Sequence, residues 1–250
     1  MEVGDFTITK REVLVSIIIL FVLITIGLFI SNAIEDSINE KNEKYYKSLK
    51  IDYDSDKFKY AINTNIGYVL ARGKVKAIKG ISINDIEGTY FYIRKVREEY
   101  TMHTREVAHT RTNADGTTET YYETEIYYTW DYAGEEEFHS EHFEYLGVTF
   151  KYGTIKFNNS KHKETIKTSS TVRYKYYIIP TEFEGCLFTN VQNNTINENQ
   201  FYYNNTIEKI IENKQKDVQT YKALFWCFWI FLIAGIIFGF ICLENKYLED

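Results

Sequence analysis

The densest group of metal-type ligands in the chain is His139-Ser140-Glu141-His142, preceded by Glu135, Glu136 and Glu137. Imidazole and carboxylate are common zinc ligands. In an extended strand, however, His139 and His142 fall on opposite faces, and only a turn or helix brings them together. The expectation is a solvated polar segment with no metal. A second pair, His103 and His109, lies among Glu99, Arg105 and Glu106. Cross-strand charge pairing accounts for it without acid–base work. Gly73-Lys74 lacks the rest of the phosphate-cradling GxxxxGK[ST] loop. Cys186 stands apart from Cys227 and Cys242, so neither a disulfide framework nor a paired-cysteine zinc site follows. The reading names no catalytic residue, no metal ligand and no cofactor.

What remains is aromatic. Tyr128, Trp130 and Tyr132 alternate along one segment and form a possible binding surface for a peptide or glycan. Tyrosines in such a pattern more often fill a sheet surface. Trp130 shares the more apolar face with Ile126 and Tyr128. It is therefore expected in the core, where truncation to Ala costs roughly 3–5 kcal/mol. The alternative is an exposed platform, whose loss spares folding and abolishes binding.

These residues need strands to position them. Tyr122, Thr124, Ile126, Tyr128, Trp130 and Tyr132 alternate with Glu123, Glu125, Thr129 and Asp131. Val172, Tyr174, Tyr176 and Ile178 repeat the pattern, as do Val69, Ala71, Val75 and Ala77. Aromatic and β-branched residues at period two suit a half-buried pleated face, and antiparallel sheet leaves the other face wet. Asn113-Ala114-Asp115-Gly116 separates two such runs, Thr89–Arg111 and Thr118–Tyr132, and predicts one long hairpin with this turn exposed at its tip.

Two uncharged apolar runs flank this middle part, Val13–Ile30 and Ala223–Leu243. Each is long enough to cross a hydrocarbon core of about 30 Å as a helix. Lys10 and Arg11 before the first run, and its length, fit an uncleaved signal anchor better than a cleaved leader. The fold class is thus an α+β membrane protein, with two transmembrane helices flanking an antiparallel β-rich domain on helical stalks. The expected order is a short N-terminal segment (1–12), transmembrane helix 1 (13–31), a helical stalk (32–50), the β-rich domain (51–205), an amphipathic stalk helix (206–222), transmembrane helix 2 (223–243) and a short tail (244–250). Lys10-Arg11 favours cytoplasmic termini and an extracytoplasmic or lumenal domain; a large domain crosses largely regardless of its charge. Gly235 and Gly239 form a GxxxG pair, and Gly27 with Ser31 a similar small pair, so these four are candidate helix-packing positions. The depth of Gly239 places it near Ser16, either of the same chain or of a second copy.

Three features of the middle segment resemble the transmembrane protein 43 (LUMA) family. They are Gly67-Tyr68-Val69 with Gly73-Lys74-Val75, then Arg94-Lys95-Val96-Arg97-Glu98-Glu99-Tyr100, then Asp115-Gly116 followed by Tyr127-Tyr128-Thr129-Trp130. The resemblance covers roughly residues 60–160. It implies a β domain beside a membrane that organises the membrane or binds a partner. A similar domain occurs between two spans in a mitochondrial ubiquitin ligase. The ligase carries a RING finger after its second span, and Glu244–Asp250 holds no Cys or His zinc ligands, so ligase activity is not expected to carry over. That family has several spans at its C-terminal end, where one is read here.

The net charge of −6 and the absence of a basic block argue against nucleic acid. The expected partners are the lipid bilayer and a protein partner or a homo-oligomer. The expected role is a non-enzymatic membrane-anchored scaffold, partner-binding or sensor protein. The alternatives are an enzyme with a site in the β domain, and an oligomeric pore-like assembly.

Overall fold

The computed structural model describes the backbone of residues 2–3, 6–7 and 9–249 and the side chains of 9–244. The chain divides into two compact units, Met1–Leu49 with Thr206–Asp250, and Lys50–Asn205.

The first unit opens with a short antiparallel ladder of β1 (Glu2–Val3) and β2 (Phe6–Thr7). It is then built on two long helices, α1 (Lys10–Tyr46) and α3 (Ile207–Glu249). Thr9 starts α1 with a capping box: its hydroxyl accepts from the Glu12 amide, and the Glu12 carboxylate accepts from the Thr9 amide. No Pro interrupts the apolar run or the charged stretch after it, and the helix runs on through Gly27, so the expected span and stalk are one continuous helix. α3 likewise has no Pro and runs on through Gly235 and Gly239. The two helices pack along a seam that buries Gly27, Ser31, Asn42 and Tyr45 of α1. Large apolar side chains point outward instead, with Phe21, Phe29, Phe228 and Phe231 between 66% and 78% exposed. Both helices are long and apolar enough to cross a membrane.

The second unit is antiparallel β with one short helix. It contains β3 (Leu49–Asp52), α2 (Ser55–Thr64), β4 (Gly67–Ala77), β5 (Ile81–Ile83), β6 (Ile86–Thr112), β7 (Thr118–His139), β8 (His142–Tyr145), β9 (Val148–Lys151), β10 (Lys161–Lys167), β11 (Val172–Pro180), β12 (Glu182–Gln192) and β13 (Thr195–Tyr203). Asp54 caps α2 by accepting from the Lys57 amide, and Asn65 ends it in the left-handed conformation. One sheet runs β10-β11-β6-β5 with β7 paired to β6; the other runs β13-β12-β4-β8-β9 with β3 paired to β4.

The core lies between these sheets and is largely aromatic. Phe91 of β6 meets Phe143 of β8 and Phe183 of β12 edge-on, each with ring centroids 5.8 Å apart. Edge-to-face pairs of this kind add about 0.5–1.5 kcal/mol beyond the area they bury. Tyr145 is fully buried, and its hydroxyl donates to the Ala71 carbonyl at 2.6 Å, satisfying the one polar atom it brings inside.

Candidate binding surface on the β6–β7 hairpin

The predicted hairpin exists and is longer than the sequence pattern indicated. β6 and β7 pair in continuous register from Tyr92↔His139 to Thr112↔Thr118, with one bulge between Arg97 and Glu98. Asn113–Gly116 closes the tip: the Gly116 amide donates to the Asn113 carbonyl at 3.0 Å, and Gly116 takes φ +84°, a conformation that favours glycine. β11 accompanies β6 only as far as Glu99. Beyond that point, among the described residues, Thr101–Thr112 and Thr118–Thr129 pair only with each other. At roughly 3.3 Å per residue this two-stranded ribbon is about 40 Å long. Both of its edges and both of its faces are open.

The two faces differ. One carries Tyr100, Met102, Tyr122, Ile126, Tyr128 and Tyr132, which are 40–67% exposed. Tyr100 stacks on Tyr128 with centroids 5.4 Å apart and tilts against Trp130 at 5.1 Å. Trp130 sits at the base of this face and is only half-buried. Its cover is cationic: the Arg173 guanidinium lies 4.3 Å from the ring centroid and Lys167 Nζ 5.7 Å. Arg173 is fixed from the other side by Glu98, which accepts from Arg173 Nε at 2.6 Å and from Lys175 Nζ at 2.7 Å. Desolvation opposes the charged form of Glu98, but these bonds from Lys175 and Arg173 hold its carboxyl below the ordinary value. The expected core position of Trp130 is therefore corrected. Period two placed it with Ile126 and Tyr128, and no second layer covers that face.

The other face carries cross-strand charge pairs, with Tyr127 and Tyr121 stacked on His103 and His109. Arg105 meets Glu125 at 2.7 Å and Arg111 meets Glu119 at 3.7 Å. His103 Nε2 lies 2.6 Å from Asp131, which also accepts from the hydroxyls of Thr101 and Thr129. Bonds from Thr101, Thr129 and His103, in that order, push the Asp131 carboxyl down to about 2. His109 lies 3.8 Å from Glu123. Cross-strand pairing thus accounts for both histidines. β7 carries Glu119, Glu123, Glu125, Asp131 and the run Glu135–Glu137, and no Lys or Arg, so the outer strand is strongly acidic.

The sequence-level metal group behaves differently from an extended strand. The chain bends at Ser140, whose amide donates to the Phe91 carbonyl at 2.9 Å and whose hydroxyl donates to the His142 carbonyl at 2.8 Å. His139 and His142 then line one cavity of about 390 Å³ with Lys79 and Glu141. No three His, Cys, Asp or Glu side chains converge on a metal-sized site among the described residues.

Of the four small residues singled out in the helices, the structure buries Gly27 and Ser31 in the α1–α3 seam. A Cβ on Gly27 would lie 2.8 Å from Trp229 Cδ1 and 3.1 Å from Trp226 Cη2. That close approach lets the Trp229 indole N–H donate to the Leu23 carbonyl at 3.0 Å. Gly235 and Gly239 have open space within 4 Å of their Cβ positions, so neither packs on the Ser16 region of the same chain.

In comparisons with known proteins, no family model matches the chain, and no curated protein or solved structure does so.

Proposed function

We propose that the protein is a two-pass membrane protein whose β domain binds a partner through the β6–β7 ribbon, without catalysis. The observation that carries this reading is the ribbon itself. Its aromatic face and both strand edges are unpartnered, in a domain whose core is built of closely packed aromatic rings. Exposed apolar patches of this kind mark interaction sites. A free edge accepts an extended segment by strand addition, and tyrosine and tryptophan supply anchoring area. In the ribbon Glu106, Glu119, Glu123 and Glu125 outnumber Arg105 and Arg111, and this excess favours as partner an extended segment rich in Lys or Arg. The same acidity disfavours edge-to-edge pairing with a second copy.

Membrane insertion is supported by the outward-facing phenylalanines and isoleucines of α1 and α3, which lipid would cover. With two spans, both termini share one side and the domain occupies the other. The Lys10-Arg11 pair favours termini in the cytoplasm and the domain in the extracytoplasmic or lumenal space. A partner-binding role beside a membrane is also what the resemblance to the transmembrane protein 43 family implies.

Photo-cross-linking in intact membranes tests the ribbon. A benzophenone amino acid replacing Tyr128 should give a discrete cross-linked product that disappears at high salt. The same group replacing Tyr60, an exposed residue on α2, should not. Identical products from both positions, or none from Tyr128, would remove the ribbon as the docking element.

A further inference from the structure

The segment joining β9 to β10 folds over β6, β7 and β11 and encloses a second cavity of about 460 Å³. That volume lies in the range of small-molecule sites, about 300–1,000 Å³. Its lining combines half-buried aromatic rings with charges of both signs. Tyr152 and Phe157 come from the covering segment, with Lys156 and Ser160 beside them. Arg94 and Glu137, directly opposed across β6 and β7, supply the sheet side.

Three observations indicate what this cavity is built to hold. First, Arg94 Nε is buried and has no hydrogen-bond acceptor, although the same guanidinium lies over the Tyr177 ring at 4.7 Å and 3.7 Å from Glu135. A buried donor left unpaired is destabilising, so an acceptor from a ligand would offset that cost. Second, Glu137 accepts from the Tyr92 hydroxyl through one oxygen, at 2.7 Å, and its other oxygen can accept from a ligand. Third, the Tyr152 ring is held by His139, stacked face to face with centroids 3.7 Å apart, and so forms a fixed platform. Arg94 and Lys156 are balanced by Glu137 and the neighbouring Glu135, so the site does not select net charge. It asks for adjacent donors and acceptors on a body that packs against aromatic rings.

We propose that this cavity binds a single uncharged sugar ring. Neighbouring hydroxyls each donate and accept, which matches Arg94 and Glu137 side by side, and the C–H face of a pyranose packs against Tyr152 and Phe157. The site lies on the sheet at the root of the hairpin, is independent of the ribbon's aromatic face, and stands whether or not the ribbon binds a partner.

The test uses the full chain in lipid nanodiscs and saturation-transfer NMR. The probes are the methyl glycosides of glucose, galactose, mannose and N-acetylglucosamine, with benzoate as an anionic control. At about 10 mM even millimolar affinity is visible. At least one glycoside should receive saturation from the protein, and benzoate should not. Arg94→Met and Glu137→Gln, which act at opposite ends of the polar pair, should each weaken that binding about tenfold or more. Tyr128→Ala on the ribbon should leave it unchanged. Each variant's melting temperature is recorded, and the variant that retains the native value decides the result. Transfer to none of the glycosides would overturn the proposal. So would an Arg94-dependent signal from benzoate alone, or glycoside binding unaffected by either substitution.

Discussion

Phe91→Ala and Trp130→Ala separate a core aromatic from a partly buried one in the same hairpin. Phe91 has no solvent exposure and meets four rings, those of Phe143, Tyr152, Phe157 and Phe183, at 5.5–5.8 Å. Its truncation leaves a cavity that these rings cannot fill without leaving their present packing, at a cost of about 3–5 kcal/mol. Trp130→Ala loses one tilted contact with Tyr100 and the two cations, Arg173 and Lys167, over the ring. With part of its surface already in water, about 1–2 kcal/mol is expected. For a chain of this size about 1 kcal/mol moves the melting temperature by roughly 2–4 °C. The expected shifts are therefore about 6–20 °C for Phe91→Ala and about 2–8 °C for Trp130→Ala. The assay is thermal unfolding of the full chain in one detergent, followed by the β-sheet circular dichroism signal. A loss at Trp130 as large as that at Phe91 would show that the face of Tyr100, Tyr128 and Trp130 is covered, and the ribbon would cease to be a candidate docking surface.

Gly27→Leu should force α1 from α3 and break the bond from Trp229 to Leu23, lowering stability in detergent by about 1–3 kcal/mol; Gly235→Leu should leave the melting temperature within error, and the opposite ranking would contradict the described seam. A Gly-Ser insertion between Ala114 and Asp115 should leave expression and melting unchanged, because the tip contacts only itself; loss of folded protein would refute the exposed turn. Asp131 has a depressed carboxyl, so its contribution is present above the ordinary carboxylate value and is lost as the pH falls from about 4 towards about 2. Amide protection at the root of the ribbon should therefore drop across that window in the native chain and show no such step in Asp131→Asn. Single cysteines at Asn113 and in the C-terminal tail, labelled in intact cells with an impermeant reagent, should react only at residue 113; labelling of the tail alone would reverse the orientation.

Local pattern and tertiary context contributed differently to each of these features. Alternation in Thr118–Tyr132 stated which side chains share a face, because a strand has period two whatever surrounds it. It could not state whether that face is covered. Cover is supplied by other strands, and β11 stops alongside β6 at Glu99, so the residues beyond pair only within the hairpin. Trp130 was misplaced for that reason alone. The small residues of the helices show the same division. Gly27 and Gly235 carry equivalent local signals, and the choice between them depends on which helix face meets the large indole of Trp229. The bend at Ser140 brings His139 and His142 to one cavity through bonds to Phe91 and His142 that no short spacing encodes. The sugar-sized cavity was the least legible feature. Arg94 and Glu137 oppose each other across the hairpin, but Tyr152, Lys156 and Phe157 reach them only because an irregular segment folds back over the sheet. Residues that hold a ligand in this way are set by loop closure after the strands have paired, and the period of the strands carries no record of it.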